Sequence, residues 1–293
     1  MGKIGFIGLG IMGKPMALNL IRGNIDLVVY DIDKNAVDAV TGYGASTANP
    51  NEIGHECDIV ITILPNGEVV KDVIFGKDGL MDGMSSGDLV IDMSSVTPFD
   101  SVYCANRLKE KDIGFLDAPV SGGEPKAIDG SLAIMVGGNE SDFIKATPCF
   151  NILGSSAVLV GDVGSGSTAK LVNQIIVNNT IAVVSEAFVF CKKAGANPLT
   201  VYNAIKDGLA RSTVLDAKLP MIVERNFIPG GKISINHKDI KNVLSTAHSI
   251  DCPVPLTSNL FEILQSLKVN NQMDDDHAAI VNYFERLANI EVE

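Results

Sequence analysis

Ile4-Gly5-Phe6-Ile7-Gly8-Leu9-Gly10-Ile11-Met12-Gly13 decides the reading of this chain, because a short apolar run enters G-x-G-x-x-G and helical spacing follows. A strand that ends at Gly8 needs the first glycine for a tight turn. Gly10 lets the backbone approach a pyrophosphate, and Gly13 lets strand and helix pack closely with the helix N-terminus facing the anion. The pattern alone is weak, but the context that gives it meaning is present. A second apolar run, Leu27-Val28-Val29-Tyr30, ends at Asp31, 18 positions beyond Gly13. A carboxylate there can accept hydrogen bonds from both ribose hydroxyls and repels a 2′-phosphate, so the expected cofactor is NAD, with NADH preferred over NADPH.

Outward from this motif, short apolar runs bounded by Gly, Asp or Pro alternate with helical spacing. They fall at residues 59–64, 89–92 and 115–117, and two more at 132–136 and 157–160 flank a helix near 141–150. Such alternation implies a mostly parallel sheet covered on both faces. After Gly161-Asp162-Val163-Gly164-Ser165-Gly166 the strand signals stop. Residues 167–193 predict one helix of about 40 Å. It is ended by Ala194-Gly195, and Lys192 and Lys193 suit the negative helix end. Further helices are predicted over residues 199–207, 237–249, 257–268 and 276–288, the last with Asp276 as N-cap. The expected fold is an α/β doubly wound Rossmann domain over residues 1–162, then an all-α domain over residues 163–293, joined by the long interdomain helix.

Composition excludes whole classes. With 46% hydrophobic and 20% charged residues the 293-residue chain is neither disordered nor fibrous. Its 23 basic and 35 acidic residues give a net charge of −12. An acidic chain without a basic run is not expected to bind nucleic acid or a membrane surface. The apolar stretch 171–190 contains Asn173, Gln174, Asn178, Asn179 and Glu186, which argues for a buried helix over a membrane span. The start of the chain fits neither a signal peptide nor a myristoylation pattern, and the five cysteines are widely spaced with no C-x-x-C. A cytoplasmic protein with reduced thiols is expected.

Three tempting motifs fail on context. Gly83-Met84-Ser85-Ser86-Gly87 matches G-x-S-x-G but precedes a strand. Residues 161–166 have P-loop glycine spacing, yet Ser167 stands where the phosphate-binding lysine belongs. Asp274-Asp275-Asp276-His277 reads as a solvated loop that caps a helix, and no metal site is expected.

Two polar clusters survive. Asp117-Ala118-Pro119-Val120-Ser121-Gly122-Gly123 follows the carboxyl end of a strand, on the side where doubly wound sheets bind ligands. Its small residues can offer backbone N–H groups and a hydroxyl to a carboxylate, or can form a plain turn. Lys170 and Asn173 lie about 60° apart on the long helix and share a face. A lysine near a helix N-terminus is electrostatically disfavoured, so it asks for an anionic partner or use as an acid, unless it simply snorkels along the surface. The first reading places it at the cleft between the domains. Lys238, between His237 and Asp239, is a weaker candidate that an exposed helix start would also explain.

At these residues the chain resembles the β-hydroxyacid dehydrogenase family over essentially its whole length. The segments that carry the resemblance are residues 5–13, 117–123, Gly164-Ser165-Gly166-Ser167-Thr168-Ala169-Lys170-Leu171-Val172-Asn173, and His237-Lys238-Asp239. The resemblance implies that Lys170 is the general acid/base and that Asn173 orients the substrate and Lys170. It implies that Ser121, Gly122 and Gly123 bind the substrate carboxylate, and that Lys238 reaches both substrate and the nicotinamide end of the cofactor. Gly8, Gly10, Ile11, Met12, Gly13, Asp31, Leu64, Pro65 and Ser95 are implied as cofactor contacts.

Segments of the second half, among them Gly208-Leu209-Ala210 and Asp275-Asp276-His277, resemble those family members that reduce tartronate semialdehyde to D-glycerate. Arg211 departs from that pattern. It can clamp a second carboxylate, as in a dicarboxylic substrate such as 2-(hydroxymethyl)glutarate, or be an exposed arginine on a turn between helices. 3-Hydroxyisobutyrate and succinic semialdehyde are further substrate readings. The resemblance also implies a homodimer or homotetramer. A dinucleotide-sensing module without catalysis would need neither Lys170 and Asn173 nor Ser121-Gly122-Gly123, which separates the two classes.

Overall fold

The computed structural model describes residues 2–293, and by its contacts the chain divides into two compact units, one ending at Lys170 and the other covering Leu171–Glu293. In the first unit, nine strands among the described residues form one sheet: β1 Ile4–Ile7, β2 Leu27–Tyr30, β3 Ser46–Thr47, β4 Ile59–Thr62, β5 Leu89–Asp92, β6 Gly114–Asp117, β7 Val120–Ser121, β8 Leu132–Gly137 and β9 Gly154–Gly161. The order is β3-β2-β1-β4-β5-β6-β8-β7, with β9 also on β8. β1 to β6 pair in parallel, whereas β6 and β7 run antiparallel to β8.

Both faces of the sheet are buried along β1, β2, β4, β5 and β6, and the side-chain period of two sorts them. Phe6, Val29, Ile61, Ile91 and Leu116 enter one core. Their neighbours Ile7, Val28, Val60, Val90 and Phe115 enter the other. Helices α1 Gly13–Arg22, α2 Lys34–Thr41, α3 Pro50–Glu56, α4 Gly67–Phe75, α5 Leu80–Gly83, α6 Pro98–Lys109, α7 Gly123–Asp129 and α8 Glu140–Leu153 connect the strands. Two strands were not legible in the sequence. Ser46–Thr47 is two exposed polar residues long. Val120–Ser121 lies in a stretch open to reading as a plain turn, but Pro119 O, Val120 and Ser121 all pair along β8.

α9, Ser165–Lys193, starts in the first unit and continues through the second. The second unit adds α10 Pro198–Ile205, α11 Thr213–Val223, α12 Ile233–Ser249, α13 Pro255–Val269, the short 3-10 helix His277–Ile280 and α14 Val281–Ala288. Its cores gather around Ile181, Ile240 and Leu264 and around Phe188, Leu219 and Ile222.

α9 is long and apolar enough to cross a membrane, but half of that stretch is buried within the protein. Its buried stripe is partly polar, with Gln174, Asn178 and Ser185 beside Ile181 and Phe188. Val172, Ile176, Val183 and Phe190 form an exposed apolar stripe on the opposite side. The segment at Asp276 also departs from expectation. It does cap the 3-10 helix through Ala278 N and Asp274 is exposed, but Asp276 itself is wholly buried.

Candidate active site

The carboxyl ends of parallel strands share one edge of a sheet, and Gly8, Asp31 and Leu64 follow the ends of β1, β2 and β4 there. The three motif glycines have distinct reasons to be glycine. Gly8 has φ +103°, and a Cβ on it would collide with the Ile63 carbonyl. A Cβ on Gly13 would strike the Gly8 carbonyl. One on Gly10 meets nothing in the chain, so no internal packing demands glycine there.

Helix ends tell the same story. α2, α3, α4, α6 and α8 each have an N-cap side chain that accepts a first-turn N–H. α1, α5 and α7 have no such cap, and of these only α1 carries no acid in its first turn. The dinucleotide pyrophosphate therefore fits the α1 end, where backbone donors remain for an anion. Asp31 is half-buried and already holds this loop, accepting from Leu9 N at 2.5 Å and Asp33 N at 2.8 Å. Two hydrogen bonds to a carboxylate leave acceptor capacity for ribose hydroxyls. Ile11 and Pro65 are exposed, and Met12, Leu64 and Ser95 are half-buried.

Lys170 sits in the second turn of α9, since the helix begins at Ser165 and not at Ser167, so the helix dipole disfavours it less than the sequence suggested. Its Nζ donates to the Val120 carbonyl oxygen at 2.8 Å. That bond brings the amine to the segment holding Ser121, Gly122 and Gly123. The β8 ladder ends at Ser121, and Gly122 and Gly123 turn into α7 with φ of +137° and +69°. Asp117 fixes the start of α9 by accepting from Gly164 N at 2.8 Å and Ser167 N at 2.6 Å. Burial pushes the Asp117 carboxyl above its usual range, although those N–H groups pull it back.

In the second unit a chain of contacts links two candidates. Asn173 Nδ2 donates to Gln174 Oε1 at 2.9 Å, Gln174 Nε2 donates to Asp239 Oδ2 at 2.6 Å, and Lys238 Nζ pairs with Asp239 Oδ1 at 2.9 Å. Lys238 stands in the second turn of α12, half-buried, and is no exposed helix-start residue. Arg211 is exposed on the turn between α10 and α11. Gln174 and Asp239 escaped a reading by residue type, because a buried amide and acid on different helices leave no spacing signal. Asp117 and Asp92 carried one, each being an acid at the carboxyl end of a strand.

A Rossmann sheet with a dinucleotide-type glycine loop, followed by a helical unit, defines a nicotinamide-nucleotide oxidoreductase. Residues 3–161 match the family described as the NAD binding domain of 6-phosphogluconate dehydrogenase, and residues 164–284 match the NAD-binding family of NADP-dependent 3-hydroxyisobutyrate dehydrogenase. The chain is 38% identical to the 2-hydroxy-3-oxopropionate reductase of Escherichia coli (strain K12) over 98% of each chain. It is 34% identical to the 2-(hydroxymethyl)glutarate dehydrogenase of Eubacterium barkeri, over 99% of this chain and 97% of that one. Among solved structures, the 3-hydroxyisobutyrate dehydrogenase of Mycobacterium tuberculosis with L-serine superposes with a TM-score of 0.90 at 26% identity, covering 96% of this chain and 98% of that one. The chain belongs to the β-hydroxyacid dehydrogenase family.

Proposed function

We propose that this enzyme reduces tartronate semialdehyde to D-glycerate with NADH. The observation that carries the reading is the Lys170 ammonium held 2.8 Å from Val120 O, at the segment of small residues suited to a carboxylate. When bound, NADH supplies the hydride. Ser121, Gly122 and Gly123 hold the substrate carboxylate, and Asn173 orients the aldehyde. Lys170 donates a proton to the carbonyl oxygen as hydride reaches its carbon, so aldehyde, hydride and proton become the alcohol. In the oxidative direction the same amine, deprotonated, takes the hydroxyl proton. Lys238 binds toward substrate and cofactor, ordered by Asp239. Gly8, Gly10, Ile11, Met12, Gly13, Asp31, Leu64, Pro65 and Ser95 hold the dinucleotide, and the Asp31 carboxylate disfavours a 2′-phosphate.

The 38% identity to the E. coli reductase supports this substrate. A dicarboxylic substrate is the second reading, favoured by Arg211 standing exposed on its turn and by the 34% identity to the glutarate enzyme. NADH and NADPH oxidation assayed with tartronate semialdehyde, succinic semialdehyde and 2-formylglutarate decides among them. Fastest turnover with tartronate semialdehyde and NADH is expected; a preference for 2-formylglutarate that Arg211→Ala abolishes would replace the first reading with the second. The proposal includes a soluble cytoplasmic enzyme that self-associates as a homodimer or homotetramer. The exposed stripe Val172, Ile176, Val183 and Phe190 supports association of copies, and the molecular mass in solution tests it.

A further inference from the structure

Asp92 ends β5 on the same sheet edge as Gly8 and Asp31, yet it is wholly buried and its Oδ2 has no hydrogen-bond partner. Burial pushes its carboxyl up to about 6, and Asp117, its register partner on β6, adds to the push. A buried acid with an orphan oxygen costs stability, and an apolar side chain would serve packing better. The residues before it show this, since Leu89, Val90 and Ile91 are all buried and apolar. What singles out Asp92 is the work of its other oxygen.

Oδ1 accepts from Thr62 Oγ1 at 2.9 Å and from both Ser94 N, at 3.1 Å, and Ser94 Oγ. Ser94 Oγ accepts in turn from Leu64 N at 2.8 Å. The paired register of β4 and β5 ends at Thr62 and Asp92. Beyond that point one carboxyl oxygen and one hydroxyl tie the two segments leading to Leu64-Pro65 and to Ser95. Asp117 offers a contrast on the neighbouring strand, because its two oxygens hold a helix start and no loop of the glycine-motif edge.

We infer that Asp92, acting through Ser94 and Thr62, is a positioning residue that sets the Leu64-Pro65 and Ser95 loops for the dinucleotide. The inference rests on the proposed assignment of those loops to the cofactor. It makes dinucleotide affinity depend on a residue that touches neither cofactor nor substrate.

The test is titration of the full-length enzyme with NADH and NADPH by fluorescence, alongside KM and kcat. Ser94→Ala removes the link to Leu64 N and leaves the Thr62 bond to Asp92. It should raise Kd and KM for the preferred dinucleotide about tenfold, the size of one lost strong hydrogen bond, with kcat within about twofold. Asp92→Asn keeps an acceptor oxygen and should stay within about threefold of wild type, while Asp92→Ala should match Ser94→Ala. Should Asp92→Ala fail to fold, Ser94→Ala alone carries the test. A Ser94→Ala enzyme whose dinucleotide Kd stays within about twofold of wild type, even with a lowered Tm, overturns the inference. Titration needs no aldehyde, so an enzyme that binds NADH but ignores tartronate semialdehyde sinks the proposed substrate and leaves this measurement intact.

Discussion

Asp92 in the first unit and Asp276 in the second are both wholly buried, yet one leaves an oxygen without a partner while the other fills both. Asp276 Oδ1 accepts from Ala278 N and Lys218 Nζ, each at 2.9 Å, and Oδ2 accepts from Gly230 N and Gly231 N at 2.9 and 3.1 Å. Burial works to raise its carboxyl, but His277, the Lys218 ion pair and the Ala278 N–H outweigh it and hold it below the usual range. In the helical unit the buried charge is architecture, gathering a loop that has no strand to hold it. In the sheet unit the ladder already does that work, and the buried acid lies at the edge where ligands bind.

The largest effect expected from this division is on chemistry alone. Lys170→Ala should lower kcat by roughly 10²–10⁴, the range for an acid/base group, with dinucleotide Kd and Tm little changed. Steady-state kinetics beside a binding titration would show it, and a normal kcat would remove Lys170 from the mechanism.

Next come the two aspartates. Asp276→Ala should cost about 3–5 kcal/mol in chemical denaturation, because it strands a half-buried lysine and three backbone N–H groups. Asp92→Asn should cost under about 1 kcal/mol, since it removes a buried charge and keeps an acceptor. Equal losses would erase the distinction.

Acid should sharpen the contrast. His277, its side chain 14% exposed, is lowered to about 4 by burial and by the nearby Lys218 ammonium, against the opposing pull of Asp276. The unfolded chain then binds the proton more tightly, so this contribution is present above pH 6.5 and is lost as pH falls through about 4, roughly 3 kcal/mol in all. Asp92 behaves oppositely: raised to about 6, it contributes most below its ordinary value of 3.8 and loses that contribution as pH rises through about 6. Amide protection measured between pH 7 and pH 4 should show His277→Asn flattening the acid loss in the helical unit. Asp92→Asn should flatten a change of the other sign in the sheet unit.

The smallest effect on stability falls on one glycine of the motif. Gly10→Ala should leave stability within about 0.5 kcal/mol, since its Cβ meets nothing in the chain. Its dinucleotide Kd should nonetheless rise, and an unchanged Kd would show that the backbone there does not approach the cofactor.

Much of this was legible from residue order, for reasons that are local. Short apolar runs bounded by Gly, Asp or Pro marked β1, β2, β4 and β5, and a Gly-rich break marked the start of α9. α11 escaped, because Ser212 caps a helix whose interior Pro220 masks its periodicity. The short β7 escaped because its partner β8 comes later in the chain, and pairing cannot be seen from one strand alone.

The order of amino acids by itself determined the Rossmann class, the glycine loop with Asp31, and the candidacy of Lys170, since period and turn chemistry are properties of neighbours along the chain. Only the tertiary structure decided that Lys170 is held at Val120 O, that Gln174 and Asp239 link Asn173 to Lys238, and that Asp92 ties two loops. Those contacts join residues distant in sequence, and whether a buried polar group is satisfied depends on which partners the fold brings within hydrogen-bond reach.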